Sequence, residues 1–173
     1  LDMFSDRLAR GDIVVIDGGL STALEEMGHN LSDDLWSARL LRDDPEAIVE
    51  AHRRYVEAGA EIVISSSYQA SIPGFMASGL SKQQAKMLIT SSTEFARRGV
   101  DGKALVAASV GPYGAYLSDG SEYTGEYGLT LSELLNWHAD RFELLVSTKP
   151  DLLAIETIPC LTEVGALAPL LEA

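Results

Sequence analysis

Short apolar runs alternate with longer amphipathic stretches along the whole chain. The apolar runs are rich in Val, Ile, Leu and Ala and occupy residues 13–16, 61–65, 104–110 and 152–155. Such short, nearly continuous apolar runs are typical of strands that are buried on both faces of a parallel sheet. Because an amphipathic stretch follows each run, the pattern predicts four strand–helix units in series.

Capping residues mark where several of the predicted helices begin. Asp44 precedes Pro45, an order that favours the first turn of a helix. Capping boxes, in which a Ser or Thr is followed three residues later by Gln or Glu, begin at Ser81 and Thr130. We expect helices over 20–27, 44–59, 81–98, 130–149 and 162–173 (the last capped by Thr162), a polar connection over 66–79 and a long loop over 109–128.

Two architectures consist of strand–helix units in series: the open doubly wound sheet and the (β/α)8 barrel. The turn Asp17-Gly18-Gly19 lacks the glycine spacing of a dinucleotide-binding fingerprint, which weakens the case for the open sheet. Because the chain has no linker and no low-complexity stretch, we expect residues 1–173 to form a single α/β domain.

The overall charge excludes several classes of partner. The 173 residues are 46% hydrophobic and carry a formal net charge of −13, whereas nucleic acids and anionic membrane surfaces require clustered Lys and Arg. No apolar run reaches the roughly 20 residues that cross a bilayer. A lone cysteine, Cys160, fits a reducing compartment, and we therefore expect a cytoplasmic protein. Cys160 and the three histidines form no zinc-binding pattern.

Polar residues follow each predicted strand. Asp17 and Glu156 come directly after the first and fourth strands, and the carboxyl ends of parallel strands form one ligand-binding face, here called the cup. None of the lysines lies at a strand end, which disfavours a Schiff-base aldolase. The two acids could act as acid and base or bind an ammonium group. The alternative is structural, with the Asp capping a helix and the Glu paired with an arginine.

The most unusual stretch is residues 109–128, here called the tyrosine segment. It contains four tyrosines, five glycines and three acids, but no Lys or Arg. Glycines let a loop fold closely over a ligand, and tyrosine faces attract cations. We therefore predict a lid over a small cationic ligand, with a tyrosine-rich surface loop as the alternative. Trp36, His52, His138 and Cys160 are expected to pack in the core and not to act chemically.

Four stretches together resemble the homocysteine S-methyltransferases, in particular those that use S-methylmethionine or S-adenosylmethionine. They are DGGLSTALEEMGHNL, ISSSYQAS, AIETIPCLTE and the tyrosine segment, and the similarity extends in order over nearly the whole chain. The resemblance implies a (β/α)8 barrel of which this chain supplies the first four strand–helix units. It also implies transfer of a methyl group from a sulfonium donor to homocysteine, which gives methionine.

The resemblance assigns roles to individual positions. Asp17 and Glu156 correspond to the acids that hold the homocysteine amino group and are the implied catalytic residues. Gly18 and Gly19 correspond to the turn that meets the substrate carboxylate. Aromatic positions near the transferred methyl group and its donor correspond to Trp36, Tyr68 and, in the donor-side tyrosine segment, Tyr113.

One part of the family pattern is absent from this chain. Family members bind Zn2+, which holds the homocysteine thiolate, through three cysteines on strands six and eight, and Cys160 matches none of them. A full barrel takes roughly 250 residues. We therefore expect no metal ligands here, no activity of this chain alone, and either a missing C-terminal half or self-association through unpaired strand edges.

Several alternatives stay open from sequence alone. A truncation product, a part of a longer polypeptide and a half that assembles with another chain are all compatible with this length. A different lysine-free barrel, such as a metal-dependent lyase or hydrolase, is the enzyme alternative. A substrate-binding module or pseudo-enzyme without zinc chemistry is the non-enzyme alternative. The methyl donor is also open, because S-methylmethionine, S-adenosylmethionine and betaine are all cations.

Overall fold

The computed structural model describes residues 2–31 and 36–172, with the side chains of residues 2, 3 and 36–38 excepted. The strands are β1 (Ile62–Ile64), β2 (Leu105–Val110) and β3 (Leu152–Ile155). The α-helices are α1 (Asp2–Ala9), α2 (Leu20–Glu26), α3 (Trp36–Asp43), α4 (Pro45–Glu57), α5 (Ile72–Ala77), α6 (Lys82–Val100), α7 (Tyr113–Leu117), α8 (Leu131–Ser147) and α9 (Leu161–Glu172). A 3₁₀ turn spans Ser121–Tyr123.

The three strands form one parallel sheet in the order β1-β2-β3. Ile62 pairs with Leu105, and Ala107 pairs with Leu152. Each strand therefore lies beside the next one along the chain, and a crossover that contains α6 or α8 joins each pair. The predicted α/β class and the parallel sheet are confirmed, and all the carboxyl ends lie at one edge.

The first predicted strand, residues 13–16, is not a strand in the structure. The run lies beside β1 and makes a single parallel bridge, between Ile16 and Ile62. Ile13 is 85% exposed, whereas Val63 in β1 is fully buried. The sequence therefore predicted correctly that this run lies along the sheet, but the run does not form a strand there. Like β3, it has one neighbour in the described part of the chain, but three of its four residues are exposed, so little apolar burial stabilises further pairing.

The predicted helix starts are largely confirmed. Both capping boxes form, at Ser81 and at Thr130, and the Asp44 carboxylate accepts a hydrogen bond from the Ala47 N–H at 3.3 Å. The prediction for the last helix is wrong by a small margin. That helix begins at Leu161, so Thr162 lies inside it and does not cap it.

The two predicted connections contain helices that the sequence analysis missed. The polar stretch 66–79 holds α5, whose first turn has Pro73 and is capped by the Ser71 hydroxyl. The tyrosine segment holds α7 and the 3₁₀ turn, so it is not a long loop without secondary structure. These helices have six or fewer residues, too short for an apolar period to appear in the sequence. The helices α1 and α3 were also not predicted.

The helices cover the sheet and bury its apolar residues. Ile48 of α4, Ile89 of α6 and Leu145 of α8 are fully buried beneath it. The α4–α6 contact is so close at Gly99 that an added Cβ would lie 2.6 Å from the His52 Cβ. Within the described residues, no helix is both long and apolar enough to cross a membrane. The packing fixes the sheet from behind and leaves the residues after each strand open at the carboxyl edge.

Candidate functional site

The carboxyl edge of the sheet contains a cavity of about 310 Å³, which is the cup expected from the sequence. Residues that follow the run 13–16, β1 and β3 line it together with one residue of the tyrosine segment. The residues used below are Gly18, Gly19, Ser65, Tyr68, Tyr123, Glu156 and Thr157. Four separate parts of the chain thus converge on one cavity, three of them from strand ends as the parallel topology requires.

Asp17 lies between the run 13–16 and β1 and directly precedes Gly18, which lines the cup. Its Oδ2 accepts a hydrogen bond from the Ile64 N–H at 2.8 Å, and its own N–H donates to the Ile62 carbonyl at 3.0 Å. Its Oδ1 is buried and has no partner within the described part of the chain. Burial raises the pKa of Asp17 to about 6, against the effect of the Ile64 N–H, and the charge of Glu156 raises it further.

Glu156 follows β3 and is attached to the end of β2. The Ser109 hydroxyl donates to Glu156 Oε1 at 2.6 Å, and the Glu156 N–H donates to the Val110 carbonyl at 3.2 Å. Glu156 lines the cup, and its charge contributes to the raised pKa of Asp17, so the two carboxyl groups lie within electrostatic range of each other. Two acids close enough to repel each other are a good receptor for a cation, because a bound ammonium group relieves the repulsion.

Buried hydroxyl groups connect β1 and β2 beneath the acids. The Ser67 hydroxyl donates to the Ser109 carbonyl at 2.8 Å, so its oxygen accepts from the Ser65 hydroxyl at 2.8 Å. The Ser65 oxygen in turn accepts from the Ser109 N–H at 3.1 Å. The direction of each hydrogen bond is therefore fixed, and the network holds Ser109 in the orientation that it needs to reach Glu156.

Tyr68 and Thr157 form the aromatic side of the cup. Burial raises the pKa of Tyr68 to about 12, and a hydrogen bond with the Thr157 side chain opposes the rise. The phenol is therefore neutral at physiological pH. Thr157 has a φ of 56°, in the left-handed region that β-branched residues rarely occupy. Strained backbone of this kind is concentrated at functional sites.

Gly18 and Gly19 lie at the rim of the cup and are both exposed. The Tyr55 hydroxyl donates to the Gly19 carbonyl at 2.9 Å, which ties this turn to α4. A Cβ on Gly18 would lie 3.2 Å from the same hydroxyl oxygen. The structure thus brings together five of the predicted site residues: Asp17, Gly18, Gly19, Tyr68 and Glu156.

Tyr113 lies apart from the lining of the cup. Its ring packs against Trp137 at 5.1 Å, Tyr127 at 5.3 Å and Tyr116 at 5.7 Å between ring centroids. Tyr113 and Tyr116 therefore pack on Trp137 of α8, and Tyr127 packs on Tyr113. Tyr123 is the tyrosine of this segment that lines the cup, and it is 76% exposed. A role for Tyr113 in substrate binding stays a prediction, and Trp36 begins α3 with a side chain outside the described residues.

A buried hydrogen bond between His138 and Glu163 lies beneath the tyrosine segment, and the sequence analysis missed it. His138 Nε2 lies 2.8 Å from Glu163 Oε1, and both side chains are fully buried. The same carboxylate oxygen accepts the Tyr113 N–H at 2.6 Å. Burial lowers the pKa of His138, against the effect of Glu163, so a neutral imidazole donates to the carboxylate. His138 is buried as expected, but it pairs with an acid that holds the tyrosine segment.

Arg141 is the second residue that the sequence analysis missed. It lies on α8, is 3% exposed and donates to backbone carbonyls after β1 and β2. The buried residues of the same helix include Leu134, His138, Arg141 and Leu145, and each follows the previous one by three or four residues. An inward position for this arginine was therefore readable from the helical period, although charged residues are rarely buried.

Comparison with known proteins decides the family. The family model described as Homocysteine S-methyltransferase matches residues 14–173. The chain belongs to the homocysteine S-methyltransferase family. The resemblance inferred from the sequence is thereby confirmed.

Relatives in the homocysteine S-methyltransferase family extend beyond this chain. Homocysteine S-methyltransferase 1 of Zea mays is 45% identical over 189 residues, which cover 99% of this chain and 58% of the relative. Homocysteine S-methyltransferase of Escherichia coli (strain K12) is 47% identical over 175 residues, which cover 96% of this chain and 56% of the relative. The chain therefore spans little more than half the length of these relatives.

A solved homocysteine methyltransferase has the same backbone arrangement. The crystal structure of MmuM from Escherichia coli, in its metallated form, superposes with a TM-score of 0.89 at 46% sequence identity. The match covers 95% of this chain and 60% of that chain. Almost every element described above therefore has a counterpart in an experimentally determined member of the family.

The family's metal does not fit the residues described here. Among residues 2–31 and 36–172, no three His, Cys, Asp or Glu residues are grouped so that they could hold a metal ion. Cys160 is half-buried, and Gly125 packs against it so closely that an added Cβ would lie 2.7 Å from the Cys160 Cβ. The histidine nearest the tyrosine segment, His138, is already bonded to Glu163. We assign no metal ligand to this chain.

Proposed function

We propose that this chain is the part of a homocysteine S-methyltransferase that binds the amino-acid headgroup of homocysteine. In this proposal it forms the first four strand–helix units of a (β/α)8 barrel in a cytoplasmic enzyme of methionine biosynthesis. The enzyme transfers a methyl group from a sulfonium donor, S-methylmethionine or S-adenosylmethionine, to the homocysteine thiol. The observation that carries the proposal is a lysine-free cup that Glu156 lines and that has Asp17 next to its lining residue Gly18, within electrostatic range of Glu156.

The chemistry of the cup matches an α-amino acid. The ammonium group is held by Asp17 and Glu156, and Ser109 orients the Glu156 carboxylate toward it. The turn Gly18-Gly19 at the rim leaves room for the substrate carboxylate, because neither residue has a side chain. Tyr68 supplies a neutral aromatic wall near which a sulfonium group is favourable.

These residues bind and orient, and they do not activate the thiol. Methyl transfer to sulfur needs a thiolate that is aligned with the methyl carbon. The contribution of this chain to the rate is therefore that it holds homocysteine in a fixed position. In the family, Zn2+ supplies the thiolate, and we propose that its ligands come from the part of the relatives that this chain does not cover. The chain alone is then an amino-acid-binding half without methyltransferase activity.

Complementation tests this proposal. The 173-residue chain is joined to the portion of the Escherichia coli relative that it does not cover, and methyl transfer to homocysteine is measured with each sulfonium donor and with betaine. We expect transfer by the joined polypeptide with zinc and none by the 173-residue chain alone. Glu156→Gln should lower kcat/KM by about tenfold, because the half-buried carboxylate that pairs with the substrate ammonium group loses its charge. Glu94→Gln, at an exposed position on α6, is the matched control.

The second candidate function is a homocysteine-binding module without zinc chemistry, which would need only the headgroup contacts of the cup. Calorimetric titration of the 173-residue chain with homocysteine, with and without zinc, separates the two candidates. Zinc-independent binding together with an inactive joined polypeptide would favour the module. Transfer by the joined polypeptide would favour the enzyme.

A further inference from the structure

Arg141 lies beneath the cup and contacts the two loops that follow β1 and β2. Its Nη2 donates to the Ser67 carbonyl at 2.6 Å and to the Tyr68 carbonyl at 2.8 Å. Its Nη1 donates to the Gly111 carbonyl at 2.9 Å. One guanidinium therefore bridges two loops that are more than 40 residues apart in the sequence.

The charge of Arg141 is not neutralised by a direct ion pair. Within the described residues its acceptors are backbone carbonyls, and the charges of Glu163 and Glu156 act on it from further away. Burial lowers the pKa of Arg141 to about 10, so it stays protonated at neutral pH. Burying an ion costs several kcal/mol even after relaxation. Because this buried charge donates only to carbonyl groups among the described residues, we infer that its role is to hold those carbonyls in position.

The loops that Arg141 joins are also in close contact with each other. A Cβ on Gly111 would lie 2.6 Å from both the Tyr68 carbonyl oxygen and its ring. The Ser67 hydroxyl donates to the Ser109 carbonyl at 2.8 Å, two residues before Gly111. A shift of either loop would therefore move Tyr68 and Ser109, which hold the aromatic wall and the Glu156 carboxylate of the cup.

We propose that Arg141 is a positioning residue that sets the geometry of the cup by holding the Ser67, Tyr68 and Gly111 carbonyls in one plane. The role in substrate binding rests on the proposed function, whereas the effect on the loops does not. A planar guanidinium suits this task, because its donors point in fixed directions. A lysine would keep the charge but would lose the planar array of donors.

A second cavity gives access to Arg141 from the opposite side. It has a volume of about 230 Å³ and lies between α5, α6 and α8, with Arg141, Trp137, Pro73 and Lys82 among its lining residues. The Arg141 side chain lies against the Trp137 ring, with its guanidinium carbon 5.6 Å from the ring centroid. Removal of the arginine side chain would connect this cavity to the carbonyls, so a small guanidinium compound could take its place.

Hydrogen exchange of the 173-residue chain tests the proposal without a ligand. The Ala70 N–H shares the Ser67 carbonyl with Arg141, and the Ser109 N–H donates to Ser65, so segments 66–70 and 109–113 report on the loops. In Arg141→Ala we expect about tenfold faster exchange in these segments, the effect of losing roughly one hydrogen bond of local stability. Millimolar methylguanidinium should restore protection, and methylammonium should not.

Leu145→Ala is the matched control, because Leu145 is fully buried on α8 one turn from Arg141 and does not line the cup. It should lower protection throughout the chain without singling out the two segments. Arg141→Lys, measured in the same way, should give an intermediate loss and serves if Arg141→Ala does not fold. The proposal would be overturned if the arginine variants and Leu145→Ala showed the same pattern of hydrogen exchange. It would also be overturned if methylguanidinium did not restore protection in Arg141→Ala, or if methylammonium restored it equally well.

Binding separates this proposal from the proposed function. If the wild-type chain and the joined polypeptide both fail to bind homocysteine, the proposed function is wrong, and the exchange pattern still decides the role of Arg141. If the wild type binds, we expect Arg141→Ala to bind at least tenfold more weakly than Leu145→Ala and methylguanidinium to restore the affinity. Equal affinities of the two variants would overturn the role of Arg141 in shaping the cup.

Discussion

The Ser109 hydroxyl donates to the Glu156 carboxylate at 2.6 Å and so joins the ends of β2 and β3. Ser109 is fully buried, and its own backbone is held by Ser65 and Ser67 from the stretch that follows β1. The orientation of the acid in the cup thus depends on hydroxyl groups from two other strand ends. A single small side chain controls the position of a charge that lies 47 residues away.

Ser109→Ala should therefore weaken binding of the amino-acid headgroup. A hydrogen bond to a charged group contributes roughly 1.5–3 kcal/mol, and Glu156 is only half-buried, so we expect about a tenfold rise in the homocysteine Kd by calorimetry. Ser92→Ala is the control, because Ser92 is equally buried but donates to Ile89 within α6. A Kd for Ser109→Ala no higher than that of Ser92→Ala would contradict the role of Ser109.

Asp17 should make headgroup binding depend on pH. Burial, together with the charge of Glu156, raises the pKa of Asp17 to about 6, so the group is largely protonated at pH 5 and largely ionised at pH 7. An ammonium group prefers the ionised form, so the Kd of homocysteine should fall as the pH rises from 5 to 7. In Asp17→Asn this dependence should vanish. A wild-type Kd that is flat over this range would argue against Asp17 as a ligand of the amino group.

Burial explains which parts of the fold could be predicted from the sequence. The runs that form β2 and β3 pair with each other and contribute residues to the main hydrophobic core or its margin, so their apolar pattern matches their burial. The run 13–16 has the same pattern but is bridged only through Ile16. Both this run and β3 have one neighbouring strand among the described residues, but Leu153 and Ile155 of β3 pack against the core, whereas Ile13 is 85% exposed. The apolar pattern along the chain does not specify this difference in burial.

The candidate site was predictable where the chemistry lies at strand ends. Asp17 and Glu156 follow directly from the parallel topology, because residues after each strand meet at one edge. Arg141 and Glu163 act from helices behind that edge, where charged residues are ordinarily solvent-exposed. Their burial depends on partners distant in sequence, such as the Gly111 carbonyl, which the pattern along one helix does not specify.

His52 should make the stability of the chain depend on pH below 6.5. The side chain is fully buried in α4, neither ring nitrogen has a hydrogen-bond partner in the described part of the chain, and burial lowers its pKa to about 4. Between about 4 and 6.5 the unfolded chain binds the proton and the folded chain does not. The free energy of unfolding should therefore fall as the pH drops through this window, by about 3 kcal/mol at most.

His52→Leu should remove this dependence at little cost, because no hydrogen bond is lost. Urea unfolding at pH 7 and pH 4.5, compared between variant and wild type, measures the effect. Asp17 contributes with the opposite sign, because its pKa is raised in the folded state. Its contribution is present in both proteins and cancels in the comparison. An equal loss of stability in both proteins on acidification would show that His52 is not the group responsible.

Gly99 should be intolerant of any side chain. In Gly99→Ala the new Cβ would lie 2.6 Å from the His52 Cβ and 2.8 Å from the Val49 carbonyl, so α4 and α6 would have to separate. Overpacking of this kind costs about 1–3 kcal/mol, measured as a loss in the free energy of unfolding in urea. Gly165→Ala in α9 is the control, because its nearest neighbour is the end of the Leu131 side chain at 3.2 Å. That variant should be neutral or gain up to about 1 kcal/mol from helix propensity.

Thr157 should lower the stability of the folded chain and strengthen the binding of homocysteine. Its φ of 56° costs a β-branched residue energy that glycine does not pay, and its side chain bonds to Tyr68 in the wall of the cup. Thr157→Gly should therefore raise the free energy of unfolding by up to about 1 kcal/mol, after allowing for the greater freedom of glycine in the unfolded chain. It should also weaken homocysteine binding by about 3- to 10-fold, because the neutral hydrogen bond to Tyr68 is lost.

Lys149 provides a control for the backbone effect at Thr157. It has nearly the same φ, 53°, but it lies after α8 and does not line the cup. Lys149→Gly should therefore stabilise the chain without changing the Kd of homocysteine. If Thr157→Gly raised stability and left the Kd unchanged as well, the strain at Thr157 would be incidental to the cup. Weaker binding in Thr157→Gly alone would show that the strained backbone is maintained because it presents the Thr157 side chain to Tyr68.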